Sequence, residues 1–222
     1  MPVQCRTGRF FLFIYMQITL QQILPVFFNA ADVSRSQVWN QQVAFGEAAN
    51  THIIAPSGSG KTSLIHFLYG LRNDFTGEIK YDGISIKNFD KEKKASLRQK
   101  TISIVFQDLR LFPNQTVYDN IAIKRLLSPY HSTDQIATMA KRLGIENKLQ
   151  QLCSTCSYGE QQRIAIIRAL QQPFQLLLLD EPFSNLDEVN RQKAMELIQE
   201  EATARKASIL LADLKKITER FI

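Results

Sequence analysis

Apolar and polar positions change rhythm repeatedly along the chain, and the changes predict strands and helices in alternation. Residues 16–20, Met-Gln-Ile-Thr-Leu, alternate as an opening strand. Short apolar runs, broken by Pro25 and by a polar stretch at residues 29–37, predict antiparallel strands and loops up to residue 49. Thr51–Ile54 reads as a buried strand and runs into a loop of Gly, Ser and Pro, after which Leu64, Ile65, Leu68 and Leu71 recur at helical spacing. Around Asp82-Gly83, Ile79 and Tyr81 alternate on one side and Ile84 and Ile86 on the other, the pattern of a tight hairpin. The mixed charges of residues 87–100 suit a solvated helix face, and residues 101–106 form a further strand that ends at Gln107. Residues 113–151 are helical and polar, with Ile136, Ala140 and Leu143 on one face and Gly144 placed to stop the helix. Leu176–Asp180 is an apolar strand, residues 188–206 a helix and residues 208–212 a last strand. Such alternation predicts an α/β domain with a mostly parallel sheet.

Composition narrows the class. With 222 residues and 45% hydrophobic content, one domain with a small subdomain can bury a sizeable core. The net charge of +6 is compatible with a nucleotide, an anionic membrane face or a nucleic acid. Three cysteines, Cys5, Cys153 and Cys156, are an odd set without repeated spacing, which argues for a reducing compartment. Cys153 and Cys156 form a C-x-x-C, but no second Cys or His pair lies near enough to complete a zinc site. The apolar stretch at residues 10–16 is far shorter than the roughly 20 residues that cross a bilayer. Residues 1–15 match no element and are read as an extension, or as the product of a start assigned too early, with Met16 the true first residue.

The chemistry sits in the loop after the strand at 51–54. Ala55, Pro56, Ser57, Gly58, Ser59, Gly60, Lys61 and Thr62, followed by Ser63, lie between a strand and a helix, where a phosphate-binding loop works. Its glycines let backbone N–H groups turn toward phosphate oxygens, and the helix start adds its positive end. Lys61 suits the β- and γ-phosphates, and the Thr62 hydroxyl suits Mg²⁺. The pattern begins with Ala55 where Gly is usual. Farther on, 119 and 120 residues beyond Lys61, an apolar strand delivers two carboxylates. Asp180 there is expected in the Mg²⁺ shell, and Glu181 is expected to orient or deprotonate the attacking water.

From about Met16 to Ala212 the chain resembles the ABC-type ATPases. Ser157, Tyr158, Gly159 and Glu160 match the family signature at a helix start, which the resemblance sets against the γ-phosphate bound by the other subunit. Gln107, 46 residues after Lys61, matches the glutamine that reaches Mg²⁺ and the water and links the core to the helical subdomain. Ser184-Asn-Leu-Asp187 matches the loop that crosses the dimer interface. The implied fold is α/β, a P-loop NTPase core with a mostly parallel sheet, an antiparallel β subdomain and an α-helical subdomain at about residues 108–160, in one ATPase domain spanning 16–222. The implied ligands are ATP and Mg²⁺. The family stacks an aromatic ring on adenine; Phe27 and Phe28 are the nearest candidates, and both equally suit core strand positions.

Departures from the family pattern qualify the activity. Ala212 stands where the family carries a histidine after its last core strand. Cys156 takes a Leu position and Tyr158 a Gly position in the signature. With Ala55, these changes imply slower or differently controlled hydrolysis, while Lys61, Thr62, Asp180 and Gln107 imply retained ATP binding. His52, His66 and His131 are read as structural or exposed.

The resemblance implies an ATP-hydrolysing subunit that pairs with a second cassette, expected to be a second copy, and drives a separate transmembrane permease docked beside Gln107. Residues 104–121 look like the equivalent stretch in the lipoprotein-releasing, macrolide-exporting and cell-division group. The expected location is cytoplasmic, peripheral on the inner face of the cell membrane, with no nucleic acid partner. The alternative is a regulatory ATP-gated dimerisation module with little or no hydrolysis. A third class, cassette proteins acting on DNA or ribosomes, usually fuses two cassettes or inserts long coiled coils, and this chain shows neither pattern.

Overall fold

Ile18–Pro25 (β1) buries Ile18 and Leu20 and then Ile23 and Pro25, a shift of phase that a regular strand cannot accommodate. The shift is absorbed by a bulge at Gln22, whose φ is 51°, so that Ile18 and Leu20 before it and Ile23 after it reach the same core. Opposite the bulge stands Gly77, where a Cβ would lie 2.3 Å from the Gln22 carbonyl oxygen. The computed structural model describes residues 16–29, 33–46 and 50–214; residues 1–15 and the reading of their start lie outside it. In its antiparallel sheet, β1 pairs with Gln42–Phe45 (β2) and with Phe75–Tyr81 (β4), and β4 turns through Asp82-Gly83 into Ile84–Ser85 (β5).

The second sheet is parallel and runs in the order Thr51–Ile54 (β3), Ser208–Asp213 (β8), Leu176–Asp180 (β7), Ile102–Val105 (β6). Alternate residues of its inner strands face two separate cores. Leu176, Leu178, Leu210 and Ala212 join β1, β4 and Lys61–Leu68 (α1) in one, while Leu177, Leu179, Ile209 and Leu211 join the helices of the other side in the second. A sheet covered on both faces needs strands that are apolar throughout, and β7 obeys: all five residues are buried. Each buried leucine contributes about 2 kcal/mol. Four of them outweigh the roughly 3 kcal/mol that holding the Asp180 charge in this interior costs at neutral pH.

On the second face lie Val117–Leu127 (α3), Asp134–Arg142 (α4), Tyr158–Leu170 (α5) and Glu188–Arg205 (α6). Helix α5 packs against β6, α3, α4 and α6. Lys91–Lys100 (α2) buries no residue, as its mixed charges require. Gly144 ends α4 with a φ of 66°.

Two expectations need correction. Strand β3 is a half-buried edge strand rather than a buried one, and Ile54 is 46% exposed, because only β8 covers one of its sides. Leu71 lies beyond the end of α1 and is exposed. The last strand holds Ala212, in register with Asp180, and runs one residue beyond the 208–212 read from the sequence, to Asp213.

Candidate functional site

All four parallel strands end at one edge of their sheet, and three of them hand a functional segment to that edge: the phosphate loop after β3, Gln107 after β6 and Glu181 after β7. Open α/β sheets bind ligands beyond their carboxyl ends for this reason.

The loop is anchored from the antiparallel side. Trp39 donates its indole N–H to the Ser59 carbonyl at 2.9 Å. Gly60, at φ 89°, opens α1, and a Cβ there would stand 2.8 Å from the Trp39 ring and 3.0 Å from Phe28. No side chain caps α1, and its first turn holds no acidic residue, so its positive end is left for an anion. Lys61 is buried, with Nζ 2.7 Å from the Ala55 carbonyl, 3.1 Å from that of Pro56 and 3.4 Å from Glu181 Oε1. Phe27, Ser57, Gly58, Gly60, Thr62, Ser63 and Gln107, with Lys61 and Glu181, line a cavity of about 290 Å³.

Oxygen donors gather at one end of the loop. The Thr62 hydroxyl donates to Gln107 Oε1 at 3.0 Å. Asp180 is fully buried, and neither of its carboxylate oxygens has a hydrogen-bond partner among the described residues. Burial pushes its carboxyl up to about 6, a rise opposed by the nearby Thr62 hydroxyl and reinforced by the charge of Glu181. An orphaned carboxylate beside a hydroxyl and an amide oxygen is a hard donor set, fitted to a small divalent cation. Glu181 leaves β7 with φ 47°, its N–H donating to the Ala212 carbonyl at 2.9 Å.

The signature residues stand apart from this cavity. Ser157 caps α5 through a capping box: its Oγ accepts from the Glu160 N–H at 3.3 Å, and Glu160 Oε2 accepts from the Ser157 N–H at 2.7 Å. The second bond, helped by Lys148, holds the Glu160 carboxyl below the usual carboxylate range. Gly159 abuts the loop after Glu181, since a Cβ there would sit 3.0 Å from the Asn185 carbonyl oxygen. Only Tyr158 reaches the site, donating its phenol to the Gln107 carbonyl at 3.1 Å.

The structure separates the two aromatic candidates: Phe27 is 51% exposed on the cavity wall, while Phe28 packs edge-on against Trp39. It also adds residues that the motif reading passed over. His66 lines a second cavity of about 370 Å³ with Thr62, Gln107, Asp108 and Tyr158. Burial and the charges of Arg110 and Arg72 lower its pKa. Its position four residues after Thr62, one turn along the same face, was the signal available. Trp39 was discoverable only as the single tryptophan of the chain.

The family model described as ABC transporter matches residues 39–184. The chain belongs to the ABC transporter family. Among ABC transporter relatives, the molybdate/tungstate import ATP-binding protein WtpC of Pyrococcus abyssi is 39% identical over 146 residues, 64% of this chain and 41% of its own length. The lipoprotein-releasing system ATP-binding protein LolD of Syntrophus aciditrophicus is 34% identical over 161 residues, 66% of this chain and 72% of its own. The chain thus spans about two fifths of the first relative and about seven tenths of the second. A bacterial ABC transporter cassette solved as a dimer superimposes with a TM-score of 0.76 at 22% identity, covering 89% of this chain and 88% of that one. A bacterial Atm1-family ABC exporter with ATP bound gives 0.72 at 24% identity, over 88% of this chain and 34% of the exporter. What the chain shares with these proteins is the fold of an ABC ATPase cassette.

Proposed function

We propose that this chain binds Mg-ATP at the phosphate loop, hydrolyses it, and pairs with a second cassette to drive a separate transmembrane subunit from the inner face of the cell membrane. The observation that carries the reading is the convergence of Lys61, Thr62, Gln107, Asp180 and Glu181 at one sheet edge, with both Asp180 oxygens buried and unpartnered. Lys61, now held by loop carbonyls and by Glu181, is the cation for the β- and γ-phosphates. Thr62, Gln107 and Asp180 would hold Mg²⁺, which supplies charge neutralisation between the phosphates. Glu181 carries the attacking water.

Two observations favour dimerisation. A dimeric cassette shares this fold. Ser157, Gly159 and Glu160 lie outside the cavity of their own chain, which leaves the start of α5 for a second copy to meet. The membrane part is proposed to be a separate polypeptide; among the described residues no helix is long and apolar enough to cross a membrane. Relatives named for lipoprotein release and for molybdate/tungstate import share the cassette, so cargo is assigned to that other polypeptide as well. A pull-down from detergent-solubilised membranes tests the assignment: co-purification of an integral membrane subunit is expected, and recovery of ribosomal or DNA-repair partners alone would refute transport.

Phe27 is the stacking ring for adenine, because it is the exposed one on the cavity wall. Phe27→Ala is expected to weaken ATP binding about fivefold, as a ring pair contributes about 1 kcal/mol. Titration with a fluorescent ATP analogue measures this, and unchanged affinity would move the stacking role elsewhere.

A second reading, a regulatory module with little hydrolysis, is favoured by two facts. Ala212 presents no polar side chain at the register position of Asp180, and Tyr158 ties α5 to Gln107 within one chain. Glu181 at the site opposes it.

A further inference from the structure

Helix α5 grips the glutamine loop of its own chain at three carbonyls. At its first residue the Tyr158 phenol, on a side chain 47% exposed, donates to the carbonyl of Gln107. Farther along, the buried Arg168 donates to the Arg110 carbonyl at 2.7 Å and to that of Leu109. Leu109 and Arg110 have φ values of 56° and 48°, a conformation that costs any residue with a Cβ. Such a pair keeps its shape only while its surroundings hold it. The hold continues into the site, since the Gln107 amide oxygen accepts from the Thr62 hydroxyl beside Asp180. A glycine at position 158, which the family resemblance leads one to expect, could make no such bond.

We propose that Tyr158 is a positioning residue: by fixing the Gln107 backbone it keeps the Gln107 amide oxygen in the donor set of Thr62 and Asp180. The inference rests on the reading of that donor set as a divalent cation site. Within its own chain Tyr158 acts through Gln107, by its bond to the Gln107 carbonyl. Arg168 is buried and locks the far half of the loop, whereas the Tyr158 bond is open to water and is the one that can be made and broken.

Tyr158→Phe in the full chain removes the hydroxyl and keeps the ring; Tyr158→Gly removes both. Two measurements are made on each: amide hydrogen exchange over residues 106–112 without ligand, and binding of a fluorescent ATP analogue with and without Mg²⁺. One lost hydrogen bond predicts exchange faster by about threefold to fivefold in Tyr158→Phe. It also predicts Mg²⁺-dependent binding weaker by the same factor, with Mg²⁺-free binding unchanged. Tyr158→Gly should match Tyr158→Phe. Unchanged exchange, equal weakening with and without Mg²⁺, or a far larger effect of Gly than of Phe would each overturn the proposal. A wild-type chain that binds no ATP would refute the functional reading instead, while the exchange result would still decide the tether.

Discussion

Glu181→Gln is expected to lower steady-state ATP hydrolysis at least about 100-fold, the usual contribution of a positioned general base. Gln is nearly isosteric, so the loop and β7 keep their shape and only the base is lost. The substitution also removes the carboxylate that now lies 3.4 Å from Lys61 Nζ, an ion pair that ATP must replace. Nucleotide affinity is therefore expected to hold or rise, and the variant should accumulate as an ATP-loaded dimer. Turnover assays with sedimentation of the nucleotide-loaded protein check both parts. A wild-type rate no higher than that of the variant would favour the regulatory reading over the motor.

Asp180→Asn is expected to stabilise the free chain while abolishing Mg²⁺-dependent ATP binding. The folded pKa of about 6 lies above the ordinary carboxylate value, so the folded chain holds this proton more tightly than the unfolded chain does. Stability linked to Asp180 is then greatest below the unfolded pKa of about 4 and falls as pH rises to about 6. Asparagine carries no charge to desolvate but leaves an amide to satisfy. The net gain at pH 7.5 is about 2 kcal/mol, or about 4–6 °C in melting temperature. Melting curves of both proteins from pH 4 to 8, without Mg²⁺ or nucleotide, should meet near pH 4, separate as pH rises from 4 to 6, and keep a constant gap above that. Parallel curves would show that Asp180 is not the strained acid described here. Stability sacrificed at a ligand site is a common trade of binding proteins.

Local patterns were legible in the sequence because their physics is local. The phosphate loop, the Asp82-Gly83 hairpin, the apolar run of β7 and the stop at Gly144 each depend on residues a few positions apart. The convergence of the loop, Gln107 and the two carboxylates followed from one topological fact, that parallel strands end at a common edge. What could not be read depends on contacts between distant segments. Whether Thr51–Ile54 is central or an edge is set by which strands flank it. The phase shift in β1 makes sense only with a bulge at Gln22 and Gly77 opposite it. Phe27 and Phe28 are neighbours with the same chemistry, and only the position of Trp39 sends one to the core and the other to the cavity. Tyr158 could be recognised as an unusual signature residue, but its bond spans 51 positions, a distance no spacing rule covers.

On the proposed function, residues 55–62 grip a triphosphate that a second copy completes. A crystal structure of Glu181→Gln grown with Mg-ATP tests it most directly. Expected is a nucleotide with its phosphates over the first turn of α1, its cation on Thr62 and Asp180, and Ser157 of a second copy facing the γ-phosphate. A loop left empty under saturating nucleotide, with Lys61 still held by the Ala55 carbonyl, would contradict it.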